Sequence, residues 1–256
     1  MKLGLKTWSS NKDFMSPAET LYRKGVYDYI ELYVNPASAD TDALEWRKLK
    51  IPFQLHAPHS YSGLNLSLKS KEAENRQLIR KVDFFRKQLN PFYIIFHPGL
   101  EGKLEETLRQ LKMFKSEFPE VFEKVIIENK PKLGLKGELC LGAMPQEIGQ
   151  IMDSIGIGFC LDIGHAIYYA AWAKLPWQKI VEEFNALKPR AYHLSDGDIA
   201  SFKDMHEHFG SGNFDFEKIM TMIPRDSFLA IETKRDSWKD LNDFEKDVDF
   251  IKRYLK

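Results

Sequence analysis

The chain has 256 residues, 43% hydrophobic and 13% aromatic, enough to bury one barrel-sized core or two small ones. Lysine plus arginine equal aspartate plus glutamate at 37 each, so no net field draws the protein to nucleic acid or to an anionic membrane surface. Cys140 and Cys160 form no CxxC motif, which argues against a disulfide framework or a zinc-thiolate knot and fits a reducing compartment.

The first residues, MKLGLKTWS, enter a strand without a basic-then-apolar leader, and no apolar run nears the roughly 18 residues of a membrane span. The expectation is a soluble, unprocessed, cytoplasmic protein that involves no membrane and no obligate protein partner.

From there β-rich runs alternate with charged, helically periodic stretches. In chain order they are strand 2–7, helix 17–24, strand 29–33, helix 41–48, strand 53–57, helix 71–88, strand 93–97, helix 103–118, strand 125–129 and helix 145–153. Strand 158–162, helix 177–187, strand 191–195, helix 216–222, strand 228–233 and helix 240–254 follow. The aromatic run IYYAAWAKLPW reads as packing between barrel and helix rather than as a platform for bases.

Eight strands that each return through a helix close into a parallel barrel, because such crossovers are right-handed and bury both sheet faces. The expected fold is a (β/α)8 TIM barrel, with residues 1–256 as one domain. An open doubly wound sheet is the runner-up, but LGLKTWSSN after the first strand lacks GxGxxG. The longest irregular stretches, 131–143 and 196–213, follow strands and are expected over the catalytic rim.

In such a barrel the C-terminal strand ends meet at one face. They carry His59 just past the third strand, then His97, Glu128, Asp162 with His165, His193 and Glu232, while Asp204 and His206 lie in the loop after the seventh. Imidazole and carboxylate without thiolate suit zinc, manganese, iron or cobalt. Singly each residue has a plainer reading. His97 or His193 would be a hydrogen-bonded core histidine, and Glu128 or Glu232 a carboxylate paired with Lys130 or Lys234 two positions on. Asp162 would be a helix cap, Asp204 and His206 a solvated loop. His56 and His208 read as outer or solvent-facing residues.

In this order the motifs PHSYSGLNL, FHPG, VIIEN, LDIGHA, YHLSD, KDMHEHFGSGNFDF and IET resemble the superfamily shared by endonuclease IV (AP endonuclease family 2) and the xylose isomerase-like isomerases and epimerases. The resemblance runs from the third strand to the eighth. It implies a first metal on His59, His97 and Glu128, a second on Glu128, Asp162, His193 and Glu232, and a third on His165, Asp204 and His206. The metal would be zinc, with manganese or cobalt as substitutes, at roughly one to three ions per chain.

A multinuclear centre implies hydrolysis of a phosphoester, in a small phosphorylated sugar or in abasic DNA. The one-metal relatives imply the alternative, a sugar or sugar-phosphate isomerase or epimerase in which Glu128 and Glu232 act as catalytic acid and base. A third reading is a carbohydrate-binding barrel without activity. The chain departs from endonuclease IV in its DNA-handling loops. YVNPASADTD after the second strand carries no base, and Tyr61 lies two rather than three residues past His59. The loop NKPKLGLKGELCLG is basic, so Lys130, Lys132 and Lys136, with Lys6, Lys234 and Arg235 at neighbouring strand ends, are candidate phosphate holders. Among these Lys130 and Lys234 are the expected substrate contacts.

Overall fold

A computed structural model describes residues 1–255. Among them eight parallel strands close into a barrel in sequence order: β1 (Lys2–Trp8), β2 (Tyr29–Tyr33), β3 (Phe53–His56), β4 (Ile94–Phe96), β5 (Val125–Glu128), β6 (Gly158–Asp162), β7 (Ala191–Leu194) and β8 (Phe228–Ile231). Around it run α1 (Met15–Arg23), α2 (Asp40–Trp46), α3 (Glu72–Leu89), α4 (Leu104–Glu117), α5 (Pro119–Phe122), α6 (Pro145–Ile155), α7 (Ile163–Ala173), α8 (Trp177–Asn185), α9 (Phe216–Met222) and α10 (Asn242–Lys252). The structure is the TIM barrel that the alternation implies, and no helix among the described residues is long and apolar enough to cross a membrane.

Successive strand residues point to opposite faces, so each strand sorts its side chains by parity. One set, including Leu5, Leu32, Leu55, Phe96, Ile127, Leu161, Leu194 and Ile231, joins Trp46, Phe85, Phe114, Phe184 and Phe244 of the helices in one large apolar cluster. The other set faces the lumen. Low in the barrel it is apolar: Ile95, Ile126, Cys160 and Ala191 form a separate small cluster backed by Tyr93 and Phe228. Tyr29, Phe92 and Phe228 close this end, with Phe92 stacked on Phe228 at 4.5 Å and Tyr29 edge-on to both. Gly4 is required here, since a Cβ on it would lie 2.4 Å from the Tyr29 ring.

Two residues higher the lumen turns polar, with Lys6, Glu31, Gln54, His56, His97, Glu128, Asp162, His193 and Glu232 on the eight strands and their ends. Strand pairing aligns them, because Lys6 is in register with Glu31, Glu31 with Gln54, and Asp162 with His193.

Helix α7 is not among the expected helical segments, although the capping reading of Asp162 requires a helix start at this place. Every residue from Ile163 to Ala170 is buried, so the segment lacks the polar face that reveals an amphipathic helix. The run IYYAAWA belongs to it and packs as expected. Its N-cap is Asp162, whose Oδ1 accepts the His165 amide at 2.8 Å.

The loop after β7 is shaped by one carboxylate. Asp196, 1% exposed, accepts the amides of Gly197 (2.7 Å) and Phe214 (3.3 Å) on Oδ1 and those of Gly210 (2.8 Å) and Gly212 (3.0 Å) on Oδ2. Gly212 passes so close to Gly197 that a Cβ would lie 2.2 Å from its carbonyl oxygen. Removing Asp196 strands several amides, each costing ~1–3 kcal/mol. Asp196→Ala is therefore expected to lower unfolding free energy by about 3 kcal/mol in urea titration. A loss below about 0.5 kcal/mol would show that the loop is held by other contacts.

Candidate metal centre

Glu128, 1% exposed at the end of β5, is the hub. Its Oε2 lies 3.1 Å from His97 Nε2, 3.3 Å from His56 Nε2 and 3.4 Å from His193 Nδ1, and its Oε1 lies 3.3 Å from His165 Nδ1. Burial alone would favour the neutral acid. The charges of His97 and His193 and the hydrogen bonds from His165 and His56 outweigh it and hold Glu128 well below the usual carboxylate range.

The lumen brings the second expected set together around one nitrogen. His193 Nε2 contacts buried Glu31 Oε2 at 2.8 Å, which leaves Nδ1 facing Glu232 Oε2 at 2.7 Å, Glu128 Oε2 at 3.4 Å and Asp162 Oδ2 at 4.0 Å. Such a carboxylate partner on the far nitrogen fixes the tautomer that an imidazole ligand needs. Neither His193 Nδ1 nor Glu232 Oε2 has a hydrogen bond among the described residues, and the same holds for His97 Nε2. Buried donors that crowd at these separations without hydrogen-bond alignment have the spacing of a coordination polyhedron, whose edge is about 3.3 Å for tetrahedral bonds of ~2.0 Å. The donor set therefore fits divalent ions.

The third set is also assembled. His165 Nδ1 lies 2.8 Å from Asn129 O, and His206 Nδ1 lies 2.7 Å from Glu232 O. With Nδ1–H given to a carbonyl, each ring presents Nε2, at 3.0 Å (His165) and 2.8 Å (His206) from the same oxygen, Asp204 Oδ2. His206 adopts a left-handed backbone (φ 50°), and its carbonyl accepts the Lys234 amide at 2.7 Å, which docks the loop on the end of β8. Burial opposes the cationic forms, but Asp162 and Asp204 raise His165 to about 10, and Asp204 raises His206 to about 9. The trio is built to hold positive charge. Asp204 and His206 thus reach the rim and are not a solvated loop.

Other expectations are corrected. His56 is not a solvent residue: it is 2% exposed, its Nδ1 lies 2.7 Å from Ala57 O, and its Nε2 joins His97 and Glu128 in a buried trio. His59 stands beside this trio, its ring stacked 6.4 Å from His97 and tilted by 40° against Tyr33 at 5.2 Å. Burial, then His56, lowers His59 to about 4, so it offers an unprotonated nitrogen. His208 does lie outside the cluster, between Asp247 (2.8 Å) and Asp236 (3.2 Å).

The suggested lysine partners of the glutamates also differ. Glu128 is surrounded by imidazoles, and Glu232 is paired with Lys6 rather than Lys234, whose ammonium is taken by Glu207. Lys130 instead approaches His165 Nε2 at 3.4 Å. Arg235 is bound in a buried pair with Asp243 at 3.2 Å and is not free for substrate. The sequence reasoning missed Glu31 entirely and named Lys6 only as a phosphate holder.

Above the donors opens a cavity of about 560 Å³, which Lys6, Lys130 and Lys234 line together with Trp8, Leu133 and Trp238. Its mouth is narrowed by a strap between the loops after β3 and β5, where Tyr61 donates to Glu138 at 2.7 Å and accepts the Leu135 amide at 2.8 Å. Both expected rim loops, 131–143 and 196–213, contribute to its lining.

The profile of the xylose isomerase-like TIM barrel family matches residues 23–254. A probable endonuclease 4 of Aquifex aeolicus is 24% identical over 254 residues, covering 91% of this chain and 88% of its own. Among solved structures, a D-tagatose 3-epimerase-like protein superposes with a TM-score of 0.75 at 22% identity, covering 100% of this chain and 97% of its own. Endonuclease IV from Thermus thermophilus does so with a TM-score of 0.74 at 16% identity, covering 100% and 99%. Fold, donor constellation and family profile agree: the chain belongs to the xylose isomerase-like TIM barrel family, a family of enzymes.

Proposed function

We propose that the protein is a metal-dependent phosphoester hydrolase with a multinuclear centre of the endonuclease IV type, acting on a small phosphorylated sugar or an abasic-site phosphodiester. The observation that carries this reading is the trio of His165, Asp204 and His206, oriented by two backbone carbonyls. A one-metal isomerase has no use for it.

In this reading His97 and Glu128, with His56 or His59, hold one ion; Glu128, Asp162, His193 and Glu232 hold a second; His165, Asp204 and His206 hold a third. Zinc suits these nitrogen and oxygen donors, and manganese or cobalt would substitute. Bound there, the ions supply Lewis acidity and an activated water for attack on phosphorus.

The chain's own residues do the rest. Lys130, half-buried beside the third trio, faces the cavity and neutralises non-bridging phosphate oxygens. Lys234, tethered to Glu207 at the rim, contacts the sugar side. Leu133, Leu135 and the strap exclude water from the bound ester. The strapped mouth and the base-free loop after β2 support a small substrate over a duplex, which needs several phosphate contacts.

The alternative, a sugar or sugar-phosphate isomerase or epimerase, is favoured by one observation: the Glu128, Asp162, His193 and Glu232 quartet beneath a cavity of small-molecule size. Against it, one oxygen of Glu232 is held by Lys6 and the other is turned down towards His193 Nδ1, which ill suits a carboxylate meant to shuttle a proton to substrate.

Two measurements test the proposal. Purified enzyme should release inorganic phosphate from sugar phosphates, or nick a duplex bearing one abasic site, and a chelator should abolish this. Absence of both activities, together with proton exchange into a ketose, would sink the hydrolase reading in favour of the isomerase. Metal analysis should find more than one ion per chain, whereas a binding module without activity need hold none. Asp204→Ala should reduce the metal content by about one ion and turnover by ~10–100-fold, with the fold retained by circular dichroism. Unchanged metal content in that variant would remove the third site.

A further inference from the structure

Resting on the metal-centre reading above, we propose that Lys6 is a positioning residue that confines Glu232 to a single ligating oxygen. The two oxygens of Glu232 face different groups. Oε1 accepts a short hydrogen bond from Lys6 Nζ, while Oε2, without a hydrogen bond of its own, faces His193 Nδ1 at 2.7 Å. A carboxylate can bind a cation through one oxygen or two, and the ammonium occupies the one that chelation would need.

The ammonium is itself anchored. Lys6 Nζ lies 3.3 Å from Oε1 of Glu31, its register partner on β2, which is fully buried. The other oxygen of Glu31 meets His193 Nε2 at 2.8 Å and accepts Gln54 Nε2 at 2.5 Å. One buried carboxylate thus holds both the lysine that restrains Glu232 and the imidazole beside it. These contacts come from β1, β2 and β3, the strands that contribute nothing else to the quartet. Single-oxygen ligation leaves a coordination position open, which is what distinguishes a catalytic ion from a structural one.

The test compares zinc-loaded crystal structures and zinc affinities of the wild type, Lys6→Met, Lys6→Met/Glu31→Gln and Lys6→Arg. The double variant guards against misfolding, because Lys6→Met alone strands the buried charge of Glu31. In the wild type and Lys6→Arg only Oε2 should lie within ~2.0–2.2 Å of the ion. In both methionine variants Oε1 should join it, and affinity at the quartet should rise by about 10-fold or more, the size of effect that outer groups exert on metal binding, because a like charge has been removed.

A wild-type ion bound by both oxygens overturns the inference while sparing the proposed function. So does unchanged single-oxygen ligation in the methionine variants, or a fall in their zinc affinity, which would give Lys6 a merely structural role. A wild-type quartet that takes up no zinc overturns the metal-centre reading as well.

Discussion

The centre depends on one electrostatic constraint: Glu31, Glu128, Asp162 and Glu232 are carboxylates gathered in a barrel lumen, and Asp204 is folded down onto them. Removing ionised carboxylates from water costs several kcal/mol each, so they persist only where positive charge and hydrogen bonds meet them. Here the partners are imidazoles, one ammonium and backbone amides, and each has a defined geometry. Glu128 draws in histidines from β3, the end of β4, α7 and β7, and Glu31 ties His193 to Lys6. Removing either would leave its partners as the uncompensated charges.

The same constraint makes the loops part of the centre. Asp204 and His206 lie far from any strand interior, yet they complete a trio with His165 because Asp196 gathers the loop's amides and His206 accepts a left-handed backbone. A few kcal/mol of loop organisation is in this way converted into sub-ångström placement of two donors, which is what first contacts with a cation require.

The barrel itself was legible because parity and periodicity agree over nearly every element. Strands at 29–33 and 158–162 and the helix at 216–222 match the structure residue for residue, since alternating or continuous apolar runs are bounded by turn residues there. Helix α7 was not legible, for it is buried nearly all round and has no period to read. At the site, residues ending strands were recognised, whereas Glu31 and Lys6 were not assigned to the centre because they sit inside strands. Counting by two from lumen-facing positions reaches them: Tyr29 to Glu31, Gly4 to Lys6 and Gln54 to His56 all follow the step that leads from Ile126 to Glu128. His59, three past His56, lies off that lattice, and its place beside rather than within the trio of His56, His97 and Glu128 follows. The loop donors depend on contacts between residues far apart in the chain, which no local pattern carries.

The aromatic plug of Tyr29, Phe92 and Phe228 leaves the lumen open at one end only. Whatever the site binds must therefore come and go through a single doorway. Traffic through it has an order: what settles deepest arrives first and leaves last.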